Sequence, residues 1–335
     1  MPPVVSTSTL SRDADRVAIL VNPKAGPIAA QPRAERLGDL LQKQGFKVEV
    51  FTDLAAATSQ ANRWHAEGCL RTLVGVGGDG TAAELVNRTD EGVPLTLFPA
   101  GNSNLLAGYL RLRKDPEFIA RTIVDGVAAR LDAGKANGRI FLLMIGCGFD
   151  AEVVNRVHGR RTGHISFRNY LGPVREVIRT YKYPAIQASW EDDEGTVPIF
   201  EGTVPIFVPA KMGLSPLSQT LSLRWLFVFN LPCYGGKFRI APHADGSDGL
   251  LDVCGFRDRG FWKHLAAILL RQHRRMADWT ACRRRRLRIT SDAQVPYQID
   301  GDPGGWLPLD VEVLPARLTL VVPKETIPKR LQNRS

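Results

Sequence analysis

A glycine-rich loop with a single aspartate is the feature of this sequence that most clearly carries chemistry. Four glycines surround Asp79 in the segment VGVGGDGTAAELVN, residues 74–87. Glycine tolerates positive φ angles and lets a ligand approach the backbone closely. Thr81 can cap the helix that follows, and the N-terminus of a helix favours anions. A carboxylate fits this loop if a phosphate arrives with a metal ion or if the carboxylate accepts a proton. A tight turn capped by Asp79 is the structural alternative.

Two familiar nucleotide-binding motifs do not explain the loop. Residues 75–80 match GxGxxG, but they follow the third strand-like segment, whereas the dinucleotide fingerprint lies in the first strand–helix turn. The acidic residue that should follow about 20 positions later is missing. A Walker-type phosphate loop needs Lys-Ser or Lys-Thr after the glycines, and neither is present.

Two further acidic segments lie in the second half of the chain. ADGSDGLLD contains Asp245, Asp248 and Asp252, and so dense a set of carboxylates and carbonyls suits a hard cation such as Mg²⁺. Asp300 and Asp302 flank a single glycine at the end of a strand-like run, so both can face one side of the turn. Polar turns are the structural alternative in both places.

Apolar periodicity places these residues on secondary structure. Short apolar runs alternate with segments of helical spacing through the first third of the chain, which predicts a parallel sheet with helices on its faces. The predicted strands are 16–22, 47–52, 71–77 and 94–100, and the predicted helices are 32–44, 54–66 and 81–88.

Beyond about residue 135, strand-like runs follow one another closely and predict a mostly antiparallel β domain. These strands are expected at 139–148, 185–190, 224–230, 250–256, 286–290, 295–300 and 317–322, with helices near 169–181 and 261–278. Small residues at 132–138 indicate the boundary. We expect a nucleotide-binding α/β domain over 16–134 and a β-rich domain over 135–323, with tails at 1–15 and 324–335. A tandem EGTVPIF duplication at 194–207 is interpreted as a surface insertion.

Composition excludes several classes of protein. The chain has 335 residues, 44% hydrophobic and 23% charged, which is typical of a globular protein. No apolar run is long enough to span a membrane, and the N-terminus lacks the pattern of a signal peptide. The five scattered cysteines favour a reducing cytoplasm over a zinc site or disulfide framework.

The formal net charge of +10 suggests an anionic partner. The arginine run at 283–286 has no interleaved aromatic platform, so we expect no nucleic acid. The segment 261–276 places Phe261, Leu265, Ile268 and Leu269 on one stripe, with Lys263, Arg271, Arg274 and Arg275 as cations. An interfacial helix at a membrane and a helix packed on the β domain are both open.

Six segments in order resemble the diacylglycerol kinase catalytic family, which is related to sphingosine kinases and NAD kinases. They span residues 17 to about 322 and are specific for the superfamily rather than for a substrate. The segments are NPKAG (22–26), GGDGT (77–81), FPAGNSNLLA (98–107), GCGFDAEVV (146–154), YGGKFRIAPHADGSDGLLDV (234–253) and QIDGDPGG (298–305).

The resemblance implies an α/β N-terminal domain with a parallel sheet followed by a mostly antiparallel β-sandwich domain. It also implies transfer of the γ-phosphoryl group of ATP, with Mg²⁺, to a lipid hydroxyl, most simply of diacylglycerol. A metal is implied at Asp245, Asp248 and the Leu250 carbonyl, and catalytic roles at Asp79, Asp300 and Asp302. The implied ATP-binding residues are Asn22, Thr52, Gly77, Gly78, Asp79, Gly80, Thr81 and Asn102.

The sequence departs from the family pattern at three positions. Asp302 stands where the family usually has the glutamate proposed as proton acceptor, so its reach is shorter by about 1.5 Å. Leu105 replaces the usual Asp or Asn, and Asn102 replaces a threonine. A soluble-substrate kinase of the NAD kinase type and a catalytically silent binding protein are therefore the rival hypotheses. A lipid at a membrane surface is the expected partner, and a homodimer is left open.

Overall fold

A computed structural model describes most of the chain. The described residues are 7–8, 10–11, 13–22, 30–160, 167–191, 219–235 and 238–326, without the side chains of 7, 8, 167 and 168. The EGTVPIF duplication and most of the NPKAG segment lie outside them.

Helices alternate with strands in the first part of the described chain, and strands dominate the rest. The strands are β1 (Thr7–Ser8), β2 (Arg16–Val21), β3 (Lys47–Phe51), β4 (Leu70–Gly77), β5 (Pro94–Pro99), β6 (Val127–Ala136), β7 (Arg139–Phe141), β8 (Met144–Cys147), β9 (Ile186–Trp190), β10 (Gln219–Leu223), β11 (Trp225–Phe229), β12 (Leu251–Phe256), β13 (Trp279–Arg284), β14 (Arg286–Thr290), β15 (Pro296–Ile299), β16 (Asp302–Trp306) and β17 (Leu309–Val322). The α-helices are α1 (Ala30–Lys43), α2 (Leu54–Ala66), α3 (Asp79–Arg88), α4 (Leu105–Tyr109), α5 (Pro116–Asp125), α6 (Phe149–Gly159), α7 (Leu171–Thr180) and α8 (Phe261–Leu269). Short 3₁₀ helices cover Phe167–Tyr170, His273–Arg275 and Lys324–Thr326.

The chain forms two compact units. The first contains Met1–Ala133, Gly246–Asp248 and Leu314–Ser335, and the second contains Gly134–Asp245 and Gly249–Val313. The predicted domains, 16–134 and 135–323, are each continuous along the chain, whereas in the structure the segment from Leu314 onward belongs to the first unit. This division follows from β17, which is long enough to contribute residues to both units.

The first unit is built on a parallel sheet in the order β3-β2-β4-β5, and β17 extends it in parallel beside β5. Every residue of β4 is buried, as expected for a central strand of a parallel sheet covered on both faces. Asp53 and Asp115 cap α2 and α5 through their side chains, which satisfies backbone N–H groups at the two helix starts. The prediction of a parallel α/β domain is confirmed.

The second unit contains two antiparallel arrays. One is a sheet in the order β13-β12-β11-β8-β15-β16, and the other pairs β10-β9-β14 with the first half of β17. Alternate residues of both arrays share one buried core. Its members include Ile145, Cys147, Ile186, Ala188, Leu226, Val228, Leu251, Val253, Leu287, Ile289, Leu309 and Val311. The period of two places these side chains between the arrays, so the predicted β-sandwich is confirmed.

Two details differ from the sequence predictions, and a third concerns the predicted boundary segment. The strand expected at 139–148 is split, because the backbone N–H groups of Leu142 and Leu143 donate to the Asp300 carboxylate instead of a neighbouring strand. The helix expected at 261–278 ends at Leu269, and Arg271 adopts a positive φ of 56° soon after it. Small residues at 132–136 belong to β6, where a Cβ on Gly134 would lie 1.9 Å from the Phe141 ring. That glycine makes room for an aromatic ring, and the two compact units divide between Ala133 and Gly134.

None of the helices in the described part of the chain has the length and apolar character needed to cross a bilayer.

Candidate active site

In the first unit, the predicted ATP-binding residues lie along one edge of the parallel sheet. Asn22 follows the end of β2, Thr52 follows β3, and Gly78 follows β4. The registers of these strands align their carboxyl ends, and Gly77 pairs with Pro99 at the end of β5. Ligands of open α/β sheets bind at this edge, so the fold places these residues where a nucleotide is expected.

Asp79 is the first residue of α3, and both of its carboxylate oxygens accept backbone hydrogen bonds. The N–H of Leu105 donates to Oδ2 at 2.9 Å, and the N–H of Leu106 donates to Oδ1 at 3.0 Å. Burial raises the pKa of Asp79, and these two backbone hydrogen bonds oppose the rise. The carboxylate therefore joins the glycine loop to the start of α4. This contact does not involve the Leu105 side chain, which is the part that departs from the family pattern.

Close backbone packing explains two of the glycines in these loops. A Cβ on Gly77 would lie 2.2 Å from Thr81 Oγ1, and one on Gly101 would lie 2.6 Å from Gly78 Cα. Thr81 Oγ1 in turn accepts a hydrogen bond from Asn22 Nδ2 at 3.0 Å. The loops after β4 and β5 thus touch backbone to backbone, and side chains larger than hydrogen would separate them.

The start of α3 is open to a ligand. No side chain caps this helix at Gly78, and a Cβ on Gly80 would meet nothing within 4 Å. Thr52, Gly80 and Asn102 are exposed. An uncapped helix N-terminus with exposed glycine backbone is an anion-binding arrangement. The structure thus brings the loop of residues 77–81 into a form suited to phosphate.

In the second unit, Asp300 has a structural role. Its carboxylate accepts three backbone hydrogen bonds, from Leu142 N at 2.8 Å, Leu143 N at 2.8 Å and Met144 N at 3.0 Å. Its own N–H donates to the Met144 carbonyl at 3.0 Å. Asp300 therefore organises the turn before β8, and its oxygens are occupied by the backbone.

Asp302 lies in a different environment, although it is two residues away. Its side chain is 43% exposed, and its oxygens lie 3.7 Å from Arg139 Nη2 and 3.7 Å from His158 Nε2. That distance is too long for a hydrogen bond; Arg139 forms an ion pair with the carboxylate, and the His158 ring lies beside it. Asp302 thus presents an accessible carboxylate between two basic side chains.

Asp150 is a candidate that sequence reasoning missed. It lies in the first turn of α6 and accepts a hydrogen bond at Oδ2 from Gln298 Nε2 at 3.1 Å. Burial raises its pKa to about 7, against the opposing effects of Gln298 and of Trp225 and Tyr234 nearby. Its Oδ1 has no hydrogen-bond partner among the described residues. The available signal was an aspartate two residues after the second glycine of GCGFD.

Gln298 connects Asp150 to the turn that carries Asp302. Its Oε1 accepts a hydrogen bond from Gly301 N at 2.7 Å, while its Nε2 donates to Asp150. Helix α6 also carries His158, which faces Asp302. The second unit therefore gathers a buried acid, an accessible acid, an arginine and a histidine around one turn.

The three aspartates predicted to favour a metal do not form a shared cluster. In the part of the chain that the structure describes, no three acidic, histidine or cysteine side chains are placed to hold a metal ion. Asp252 instead faces Arg283, whose Nε lies 3.3 Å from its Oδ1. Asp245 and Asp248 lie on the turn before β12, as does the Leu250 carbonyl.

The arginine run at 283–286 is largely engaged within the protein. Arg284 is buried and stacks over Trp190, with 4.2 Å from its Cζ to the ring centroid. Arg286 lies 3.6 Å from a carboxylate oxygen of Glu312. These cations belong to β13 and β14, and they contact other side chains of the second unit.

A parallel sheet with a glycine–aspartate loop at its carboxyl edge, in one chain with a β-sandwich, defines the class of NAD kinase-like and diacylglycerol kinase-like proteins. Two family models match this chain. The diacylglycerol kinase catalytic domain matches residues 16–136, and the YegS C-terminal NAD kinase beta sandwich-like domain matches residues 144–322. The chain belongs to the diacylglycerol kinase-like family.

Curated relatives align along nearly the whole chain. A diacylglycerol kinase of Bacillus subtilis (strain 168) is 24% identical over 323 residues, covering 92% of this chain and 97% of that protein. A diacylglycerol kinase of Mycobacterium tuberculosis (strain ATCC 25618 / H37Rv) is 28% identical over 323 residues, covering 92% and 96%.

Solved structures support the same fold. A crystal structure of a diacylglycerol kinase from Bacillus anthracis str. Sterne superposes with a TM-score of 0.61 at 15% identity, covering 93% of this chain and 98% of that one. Yeast NADH kinase complexed with NADH gives a TM-score of 0.50 at 13% identity, covering 100% and 96%. At these identities the likeness concerns the fold alone. Membership of a kinase family makes the protein a phosphotransferase with ATP as co-substrate.

Proposed function

We propose that this protein transfers the γ-phosphoryl group of ATP to a lipid hydroxyl, most simply that of diacylglycerol, giving phosphatidic acid. The observation that carries the proposal is the alignment of nearly the whole chain with proteins named diacylglycerol kinase. The position of the glycine loop at the carboxyl edge of the parallel sheet supports the proposal, since ligands of open α/β sheets bind at that edge. ATP enters as its Mg²⁺ complex, since phosphoryl transfer requires charge neutralisation.

The loop of residues 77–81 supplies the phosphate side of the proposed reaction. Its open helix N-terminus and exposed glycine backbone offer N–H donors to phosphate oxygens. Asp79 keeps this loop in place through the N–H groups of Leu105 and Leu106. Asp79 is therefore a positioning residue in this proposal.

Asp302 is the proposed proton acceptor. Its carboxylate is accessible, whereas all three backbone contacts of the neighbouring acid leave Asp300 unsuited to proton transfer. As the lipid hydroxyl oxygen bonds to the γ-phosphorus, its proton passes to Asp302 and ADP leaves. Arg139 and His158 flank this carboxylate and orient it.

The test measures transfer of labelled phosphate from ATP with Mg²⁺ to lipids in mixed micelles. Diacylglycerol, monoacylglycerol, sphingosine and ceramide form the panel, and NAD is the soluble control. Native protein is compared with Asp302→Asn and with Asp292→Asn, a matched change at an exposed aspartate on the turn before β15. We expect labelled diacylglycerol, a loss of at least about 100-fold in Asp302→Asn, and native activity in Asp292→Asn.

Each other outcome has a defined meaning. Labelling of NAD alone would move the protein to the soluble-substrate kinases. ATP binding without any labelled product would identify a silent binding protein. Full lipid labelling by Asp302→Asn would remove Asp302 as acceptor while leaving the lipid kinase assignment intact.

A further inference from the structure

Helix α8 is anchored to the sandwich by one face. Phe261, His264 and Ile268 are buried on that face. The Phe261 ring lies 4.7 Å from that of Phe149, and His264 Nε2 lies 2.7 Å from Asp278 Oδ2. Two members of the apolar stripe predicted from sequence, Phe261 and Ile268, are therefore buried in the protein core. Leu269, a third member of that stripe, is exposed.

The opposite face of α8 is also apolar. Trp262 is 67% exposed, Leu269 is 58% exposed and Leu270 is 66% exposed. Trp262, Ala266 and Leu269 follow helical spacing, and Leu270 follows directly after the helix. Large exposed side chains concentrated on one anchored helix mark an interaction surface. We call Trp262, Leu269 and Leu270 the α8 patch.

Cations surround the α8 patch. Segment 257–276 contains six lysines or arginines and one acidic residue. Arg259, Lys263, Arg271 and Arg275 of this segment are exposed. Trp262 and Arg259 also line a groove of about 540 Å³, together with Tyr181, Lys182 and Tyr183. The groove thus places two cationic side chains beside aromatic walls at the border of the patch.

We propose that the α8 patch docks the protein on a bilayer of anionic lipids. Trp262, Leu269 and Leu270 would enter the interfacial region, and the surrounding cations would contact the headgroups. Tryptophan and leucine on one helix face with arginine and lysine around them is the composition of an interfacial helix. Charge complementarity selects an anionic bilayer over a neutral one, because each basic side chain near the surface adds attraction.

The test measures co-sedimentation of the full chain with vesicles, without ATP. One set of vesicles contains phosphatidylcholine alone, and the other contains phosphatidylcholine and phosphatidylglycerol in equal parts. We expect binding to the mixed vesicles that weakens as salt is added. The Trp262→Ser and Leu269→Ser/Leu270→Ser variants should bind at least about tenfold more weakly. Trp262→Phe, which keeps an aromatic ring, should retain binding.

Matched changes far along the chain provide controls. Val50→Ser removes an exposed apolar side chain from β3, and Lys43→Gln/Arg121→Gln removes two exposed charges from α1 and α5. These should bind like the native chain, whereas Arg271→Gln/Arg275→Gln should lose affinity for mixed vesicles. Equal binding by native protein and by the serine variants of the α8 patch would overturn the proposal, as would equal binding to neutral and mixed vesicles.

A second readout separates docking from catalysis. Patch variants should phosphorylate a short-chain diacylglycerol dispersed in water as native protein does, but lose activity on a bilayer substrate. The patch variants could lose vesicle binding while native protein phosphorylates neither substrate. That result would support docking and refute the lipid kinase function. Native activity of the patch variants on bilayers would count against the patch.

Discussion

Asp79 and Asp300 differ from Asp150 and Asp302 in how their carboxylates are used, although all four acids lie near glycines in family motifs. Backbone N–H groups occupy both oxygens of Asp79 and of Asp300. Asp150 receives one side-chain amide, and Asp302 has the Arg139 guanidinium and the His158 ring at 3.7 Å. Carboxylates bound by the backbone set the shape of loops, while the less occupied carboxylates keep oxygens for protons or ligands.

The largest expected effect concerns Asp150, whose folded pKa of about 7 exceeds the ordinary value of 3.8. The protonated acid is favoured in the folded state, so its stability contribution is complete below about pH 4 and is lost as pH rises to about 7. The difference corresponds to about 4 kcal/mol. Asp150→Asn, which stays neutral, should therefore gain stability relative to native protein as pH rises.

Denaturant midpoints of native protein and Asp150→Asn, measured from pH 4 to pH 8, check this expectation. Asp292→Asn should follow the native curve because that side chain is exposed. Parallel curves for native protein and Asp150→Asn would mean that Asp150 is ionised in the folded state and belongs with the bound carboxylates.

The next effect separates Asp300 from Asp302. Asp300→Ala leaves the N–H groups of Leu142, Leu143 and Met144 without their acceptor, so the free energy of unfolding should fall by about 3 kcal/mol. Asp302→Ala removes only exposed ion pairs and should change it by less than about 0.5 kcal/mol. Urea unfolding followed by circular dichroism compares the two. Equal losses would erase the distinction between bound and accessible acids.

A smaller effect is expected at Asp79. Asparagine offers one acceptor oxygen, so one of the N–H groups of Leu105 and Leu106 would face an amide nitrogen. The loop should loosen, and the Kd for ATP should rise about tenfold, or about 1.4 kcal/mol. Calorimetric titration of ATP into Asp79→Asn measures this, with Asp39→Asn on α1 as an exposed matched control. An unchanged Kd would show that the loop keeps its shape without this clamp.

The smallest effect is expected at Leu105. Its backbone N–H holds Asp79, and Leu105→Asn retains that N–H. The Kd for ATP should therefore stay within about threefold of native, and the same titration measures it. A change of tenfold or more would mean that the side chain at this position contacts phosphate, and the departure from the family pattern would then matter.

Much of the first unit could be predicted from periodicity. Strand β4 is buried throughout and ends in the apolar run 73–77, and α2 begins and ends where its helical spacing predicts. Local patterns suffice there because apolar runs and helical spacing are properties of each segment by itself. The glycine loop could also be identified from its local pattern, because close packing at Gly77 requires a residue without a side chain.

Long-range contacts were beyond such reasoning. The split between β7 and β8 depends on a carboxylate 157 residues away from Leu143 along the chain. Asp150 was overlooked because its raised pKa arises from burial among Trp225, Tyr234 and Gln298, which lie far from it in sequence. The sequence left open whether segment 261–276 packs on the β domain or lies at a membrane, since burial of Phe261 and Ile268 depends on the sandwich beneath them.

The sequence by itself determined the alternation of strands and helices in the first third of the chain, the two kinds of sheet and the segments that carry the family's chemistry. These properties follow from local periodicity, glycine spacing and residue type. Tertiary structure alone decided which aspartates are bound by backbone N–H groups and which keep accessible oxygens. The reason is that hydrogen bonding and desolvation depend on neighbours brought together by folding, and residue type does not specify those neighbours.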